Sequence, residues 1–204
     1  MGAPLVIATA TAGRLADLPA APLLAAAALA PAAPVGLACL RIAPAAAPGR
    51  VVIEALSNYQ AVRLEVAGTA ARAVTVPRWA LLELRRRHRE AGRVVIEPMG
   101  PVGLRLVSLA DAIGTAAVAG EVAPLPELPS WAPLEGEPPG PLLLDPALIA
   151  AALAGLREAS PGAPIELRWL DHPVLGLALE LVGGEVAGGV ALARMARPEP
   201  DGET

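Results

Sequence analysis

Three times along this chain the apolar positions shift from a short alternating run to a helical stripe and back to alternating runs. The clearest copy begins at 72–76, where Arg-Ala-Val-Thr-Val alternates like a strand. Pro77, at a position proline favours, opens a helix running to about Ala91, and Gly92 stops it. Strands follow at Val94–Pro98, Val102–Val107 and Thr115–Ala119, separated by Gly/Pro and Asp/Gly turns. A second copy starts near Leu142. Leu142–Asp145 reads as a strand, and Pro146 opens a helix ending near Ser160, with Asp145 suited to cap it. Ile165–Leu170, Val174–Val182 and Val186–Leu192 are its strands, with a tight turn at Gly183-Gly184.

Two spacings tie these copies together. Each helix has a leucine seven residues after its proline (Pro77/Leu84 and Pro146/Leu153), and each copy has Pro-Val near its second strand (Pro101-Val102 and Pro173-Val174). The offsets, 69 and 72 residues, nearly agree, as an internal repeat requires. The spans 72–122 and 142–195 are therefore expected to superpose. The first copy is fainter. Leu5–Thr9 reads as a strand and Arg14–Ala30 as a helical segment disturbed by proline. Val35–Ile42, Val51–Leu56 and Gln60–Val66 read as strands, with a hairpin turn at Ala47-Pro-Gly49. Hairpins interleaved with single helices give an α+β fold with helices on one face of a sheet. The expected division is a domain over 1–128 (units 1–70 and 71–128), a proline-rich connector over 129–141, a third unit over 142–196, and a disordered tail.

Composition narrows the class. Hydrophobic residues make up 54% and charged residues 18%, a balance that forms a core and does not suit a disordered chain. All sixteen basic residues are arginine, there is no Phe, and the core must be aliphatic. The net charge of −4 excludes a uniformly basic surface but permits one basic face. Leu18–Leu40 carries no charge, yet Pro19, Pro22, Pro31, Pro34 and Gly36 interrupt it, so one continuous membrane-spanning helix is not expected. The lone Cys39 sits in an apolar run and reads as a buried thiol in a reducing, cytoplasmic setting.

Candidate chemistry is sparse. His88 and His172 have no second ligand at metal spacing, and Asp111, Asp145 and Asp171 fall at turns or strand ends. No phosphate loop, nucleophile elbow or metal box is present, so neither an enzyme nor a bound cofactor or metal is expected. The strongest local signal is Arg85-Arg-Arg-His-Arg89, with Arg78 and Arg93 nearby. On a helix, Arg78, Arg85 and Arg89 share one side, and Arg86, Arg89 and Arg93 an adjoining one. Such a row can bind DNA phosphates without reading sequence. It can equally be a solvated helix end whose cations suit the C-terminal dipole. Trp131, in the connector, is expected to be exposed and to mark a protein contact, with Tyr59 and Met195 as further contact candidates.

Several of these segments resemble the bacterial DNA polymerase III beta sliding clamp family. Val76-Pro-Arg-Trp-Ala-Leu-Leu-Glu-Leu-Arg-Arg86 is similar to the helix opening the second half of that family's middle domain. Glu121–Pro129 is similar to its proline-marked domain ending, and Ile53–Val62 falls at its strand-turn segment. Leu144–Leu153 and Leu170–Val174 look like the closing half of its last domain. The resemblance implies a non-enzymatic, replication-associated protein whose helices face double-stranded DNA, with replication proteins as partners. It also implies a homo-oligomer, or a monomer with its odd sheet edge capped. Two departures stand out. Three units replace six, and Ala191–Met195 replaces the family's Met-Pro-Met-Arg-Leu, which helps line its partner-peptide pocket. A clamp-fold interaction module that never touches DNA is the alternative.

Overall fold

A computed structural model describes residues 13–30, 38–87, 92–101, 103–108, 116–120, 125–134, 143–183 and 187–193. Its first stretch is β1 (Ala16–Pro19) leading into α1 (Ala20–Leu29), then β2 (Cys39–Pro44), β3 (Arg50–Leu56), β4 (Gln60–Ala67) and the short β5 (Thr69–Ala70). The second is β6 (Val74–Pro77), α2 (Arg78–Arg87), β7 (Arg93–Met99), β8 (Gly103–Ser108) and β9 (Ala116–Gly120). The third is β10 (Ala132–Pro133), α3 (Pro146–Ala159), β11 (Ile165–His172), β12 (Gly176–Gly183) and β13 (Ala187–Ala193). A helix followed by three strands thus recurs three times.

Two antiparallel sheets hold these elements. One runs β5-β1-β7-β8-β9, the other β10-β11-β12-β13-β4-β3-β2-β6. The first two units exchange their leading strands. β1, which precedes α1, pairs with β7 of the second unit; β6, which precedes α2, pairs with β2 of the first. The third unit joins the first through β13 against β4, which fuses two four-stranded blocks into the eight-stranded sheet. α1 lies between α2 and α3 and over β3 and β4, so it is buried on nearly every side, as its uncharged Ala/Leu sequence allows. α2 buries Ala80, Leu81 and Leu84, and α3 buries Ala152, Gly155 and Leu156. The aliphatic core lies between this helix layer and the two sheets.

Local signals act as expected at several joints. Gly49, with φ +73°, takes the left-handed position in the β2–β3 turn. Asp145 Oδ1 accepts from the Ala147 amide at 2.8 Å and caps α3, with Pro146 in its first turn. Cys39 is buried, and burial pushes its thiol pKa up. No helix among the described residues is long and apolar enough to cross a membrane.

Four expectations are corrected. Ala16–Pro19 is a strand, where a helical segment was expected from Arg14; its partner β7 lies too far away in sequence to be read from local pattern. Pro77 ends β6, and the helix begins at Arg78. Residues 173–175 form a turn, so β12 starts at Gly176. Leu143–Asp145 is not a strand, because the described residues hold no fourth unit to receive it. The strand expected at Leu5–Thr9, the Gly184 half of the tight turn, and the tail from Arg197 lie outside the described residues.

Candidate functional site

The three helices together carry net positive charge. α1 has no charge, α2 has four arginines against Glu83, and α3 has Arg157 against Glu158. The three helices therefore total +3 on a chain of −4, leaving −7 for everything else. A hollow lined by Leu24, Leu82, Arg85, Arg86 and Glu158 marks where they converge.

The expected arginines do not form one free row. Arg78 reaches across to the end of α1, where Nε donates to the Ala27 carbonyl at 2.8 Å and Nη2 to Ala28 at 3.4 Å. It satisfies carbonyls that a helix end leaves unpaired. Arg85 Nη2 meets Glu158 Oε2 at 2.6 Å and ties α2 to α3. Arg86 Nη2 meets Glu83 Oε2 at 2.6 Å but is 75% exposed, so this surface pair is weak and exchangeable. Arg93 Nε meets Asp17 Oδ1 at 2.7 Å, at the β1–β7 exchange. Arg89 and Met195 lie outside the described residues, as do His88 and Asp111. Arg157 is exposed and has no ion-pair partner among the described residues.

A second cluster, which the sequence did not reveal, lies on the opposite face of the eight-stranded sheet. There the segment after β9 straps the strands together. The Leu125 amide donates to Thr75 Oγ1 at 3.0 Å, Arg63 Nη1 donates to the Leu128 carbonyl at 3.3 Å, and the Leu134 amide donates to the Trp169 carbonyl at 2.7 Å. Beneath it, Glu54 is 1% exposed. Its Oε2 accepts from Arg41 Nη1 at 2.5 Å, and its Oε1 lies 3.6 Å from Arg63 Nη1. Arg41 and Glu54 also line a groove of about 160 Å³, with Leu56, Ser57, Leu125, Leu128 and Val174. Tyr59, at 66% exposure, stands near it in the β3–β4 turn.

Trp131 corrects the expectation of exposure. It is half-buried, its Nε1 donates to Glu180 Oε1 at 2.8 Å, and its ring lies 4.8 Å from that of His172. The exposed tryptophan is Trp79, on α2. His172 is buried. Its Nδ1 accepts from the Val174 and Leu175 amides at 3.1 Å and so holds the turn before β12, while Nε2 is buried without a partner. Burial lowers its pKa below the ordinary imidazole value. Below that ordinary value the unfolded chain takes up a proton that the folded one refuses. Stability is therefore full above it and is lost as pH falls toward the lowered folded pKa, by at most about 1.4 kcal/mol per pH unit. Melting curves of wild type and His172→Gln between neutral pH and the onset of carboxylate titration should show this slope in the wild type alone. Groups of three or more His, Cys, Asp or Glu side chains able to hold a metal are not seen among the described residues.

No protein-family model and no curated protein sequence matches this chain. Solved structures do. A protein described as a DNA polymerase III beta subunit, from Eubacterium rectale, superposes with a TM-score of 0.55 at 10% identity. The match covers 93% of this chain and 67% of that one. The DNA polymerase sliding clamps of Bacillus subtilis and Caulobacter crescentus align over 86% and 89% of this chain, with TM-scores of 0.41 and 0.39 and identities of 12% and 17%. This chain spans about half the length of each. The fold assignment rests on the first: an α+β chain of helix-plus-antiparallel-sheet units, clamp-like in fold.

Proposed function

We propose that this chain is a sliding-clamp-like, replication-associated protein that assembles with copies of itself and holds duplex DNA by its phosphates against the helix layer. Residues 1–128 then act as a two-unit domain, 129–141 as the connector and 142–196 as a lone third unit. The observation that carries the reading is the separation of charge, +3 on the three helices against −7 elsewhere. A face with that sign draws in phosphates without selecting bases. Arg86 and Arg157 are its accessible cations, and Arg89 extends α2's row by sequence. Arg78 is excluded, because its guanidinium is committed to α1. Among the described residues the third unit has no paired counterpart, and its β11 edge is unpaired over Ile165–Arg168; such edges are usually covered, so assembly is expected.

Fluorescence anisotropy with two duplexes of unrelated sequence tests this. Expected are equal affinities and a steep loss with salt. Arg86→Glu with Arg89→Glu should remove two phosphate contacts and flatten the log–log salt slope by about 1.8. Absence of duplex binding at low salt would overturn the reading. In that event the groove beside Tyr59 favours a second one, a clamp-fold module that engages a partner protein there and leaves DNA alone.

A further inference from the structure

Within the chain, one surface is treated differently in the third unit than in the other two. The opening strand of each unit presents apolar side chains to the helix layer. In β2 these are Leu40 and Ile42, and in β7 Val94 and Ile96, all 0% exposed. In β11 the equivalents are Ile165, Leu167 and Trp169. Their cross-strand partners fix the side, since residues directly opposite share a face. Leu167 faces Leu181 of the core, Trp169 faces Leu179, and Ile165 faces Gly183, which lies against Leu156 of α3. Leu167 is nonetheless 61% exposed, and Ile165 and Trp169 are only half-buried. α3 leaves them open because it packs over β12 and β13, on the side toward α1.

What covers the first two units is each other. The strand preceding each helix crosses to the other unit and pairs with its opening strand. The register is the same both times: the last strand residue before the helix sits opposite the first residue of the receiving strand, Pro19 opposite Arg93 and Pro77 opposite Cys39. The third unit has the same parts, and among the described residues they have no recipient. Leu143–Asp145 precedes α3 in place of a leading strand, with Leu143 41% exposed. On the receiving side, β10 and Leu134 occupy the β11 edge from Trp169 to Asp171. Among the described residues, nothing pairs with that edge over Ile165–Arg168.

We infer that the third unit is completed by the third unit of a second copy, about a twofold axis, by the exchange that the first two units make within one chain. Leu143–Asp145 of each copy adds to β11 of the other, and the α3–β11 faces close over Leu167 and Trp169. Extending the internal register places Asp145 opposite Ile165, Leu144 opposite Glu166 and Leu143 opposite Leu167 of the partner. A twofold makes the contact self-complementary, so each copy both gives and receives a strand. The inference deepens the self-assembly proposed above and says which surface makes it.

Cysteine pairs test the register. Directly opposed strand residues lie within disulfide reach. In a Cys39→Ser background, Leu143→Cys and Leu167→Cys are purified separately, mixed, equilibrated and oxidised. Expected is a covalent dimer from the mixture and little from either variant alone, because the two exchange sites sit in different sheets. Sedimentation of the untagged wild type should show dimer at high micromolar concentration, and Leu167→Asp should weaken it roughly a hundredfold, since the twofold places the change in the interface twice. Circular dichroism and a thermal melt establish that each variant is folded. A wild type that stays monomeric overturns the inference, and so does a mixture that forms no crosslink or an equal yield from one variant alone. Duplex binding measured on the same samples separates this from the proposed function. A monomer that still binds DNA removes only the twofold contact, whereas a crosslinked dimer with no affinity for DNA removes only the DNA reading.

Discussion

Replacing Glu54 with alanine is expected to destabilise the fold by about 3–5 kcal/mol, one of the largest losses from a single polar change. Glu54 sits in the middle of the eight-stranded sheet at 1% exposure, with Arg41 at 2.5 Å and Arg63 at 3.6 Å. The Arg41 side chain is itself only 13% exposed. Its remaining carboxylate, Glu127, lies 3.6 Å away, is 67% exposed and contributes little. Alanine would leave a nearly buried guanidinium with only the exposed Glu127 as counter-charge. Glu54→Gln keeps the shape and tests the charge alone, and it should recover only part of the loss. Exchanging both partners for leucine should cost far less than the single alanine change, since a buried pair returns little net stability over an apolar replacement. Urea midpoints for the three variants decide this, and equal midpoints for wild type and Glu54→Ala would remove the pair from any structural role.

Gly155→Leu should be comparably disruptive, for a packing reason. A Cβ at Gly155 would lie 2.6 Å from Leu29 Cδ1 and 2.7 Å from Cγ, so the α1–α3 contact depends on the missing side chain. Alanine there gains about 1 kcal/mol of helix propensity and loses more to overpacking, for a net loss of about 1–2 kcal/mol. Leucine should cost about 3 kcal/mol or more. The change that restores space is Leu29→Ala. Combined with Gly155→Ala it should cost less than the two single losses added together, a coupling that thermal melts of the four proteins would measure. Strict additivity would mean that the helices separate freely at this point.

These two sites also show where sequence reading stopped. The helices, the hairpins and the threefold order of elements were legible, because each depends on short-range pattern and on Pro, Gly and Asp at joints such as Gly49 and Asp145. β1 was not, because Ala16–Pro19 becomes a strand through partners distant in sequence, β5 and β7. Leu143–Asp145 carries strand chemistry yet forms none, since a strand needs a neighbour and the described residues hold no fourth unit. Arg85–Arg89 was visible as a cluster, but Arg78 and Arg93 were grouped with it by spacing alone. The fold spends the first on capping α1 and the second on Asp17. The Arg41–Glu54–Arg63 cluster and the His172 turn had no local signature at all. Glu54 and Arg63 are ordinary charges in alternating strands until β3 and β4 pair them and the strap covers them. Trp131 looked exposed for the same reason, since proline-rich surroundings conceal that Glu180 and His172 meet its ring.

The most direct test asks which face of the protein touches DNA. A thiol-linked photo-crosslinker is placed, in a Cys39→Ser background, at Arg86 on the helix layer or at Glu166 on the opposite face of the sheet. Each labelled protein is then irradiated with duplex DNA at low salt. Expected is efficient crosslinking from position 86, independent of duplex sequence and suppressed by salt, with little from position 166. Crosslinking that is stronger from position 166, or absent from both, would contradict a duplex held against the helix layer.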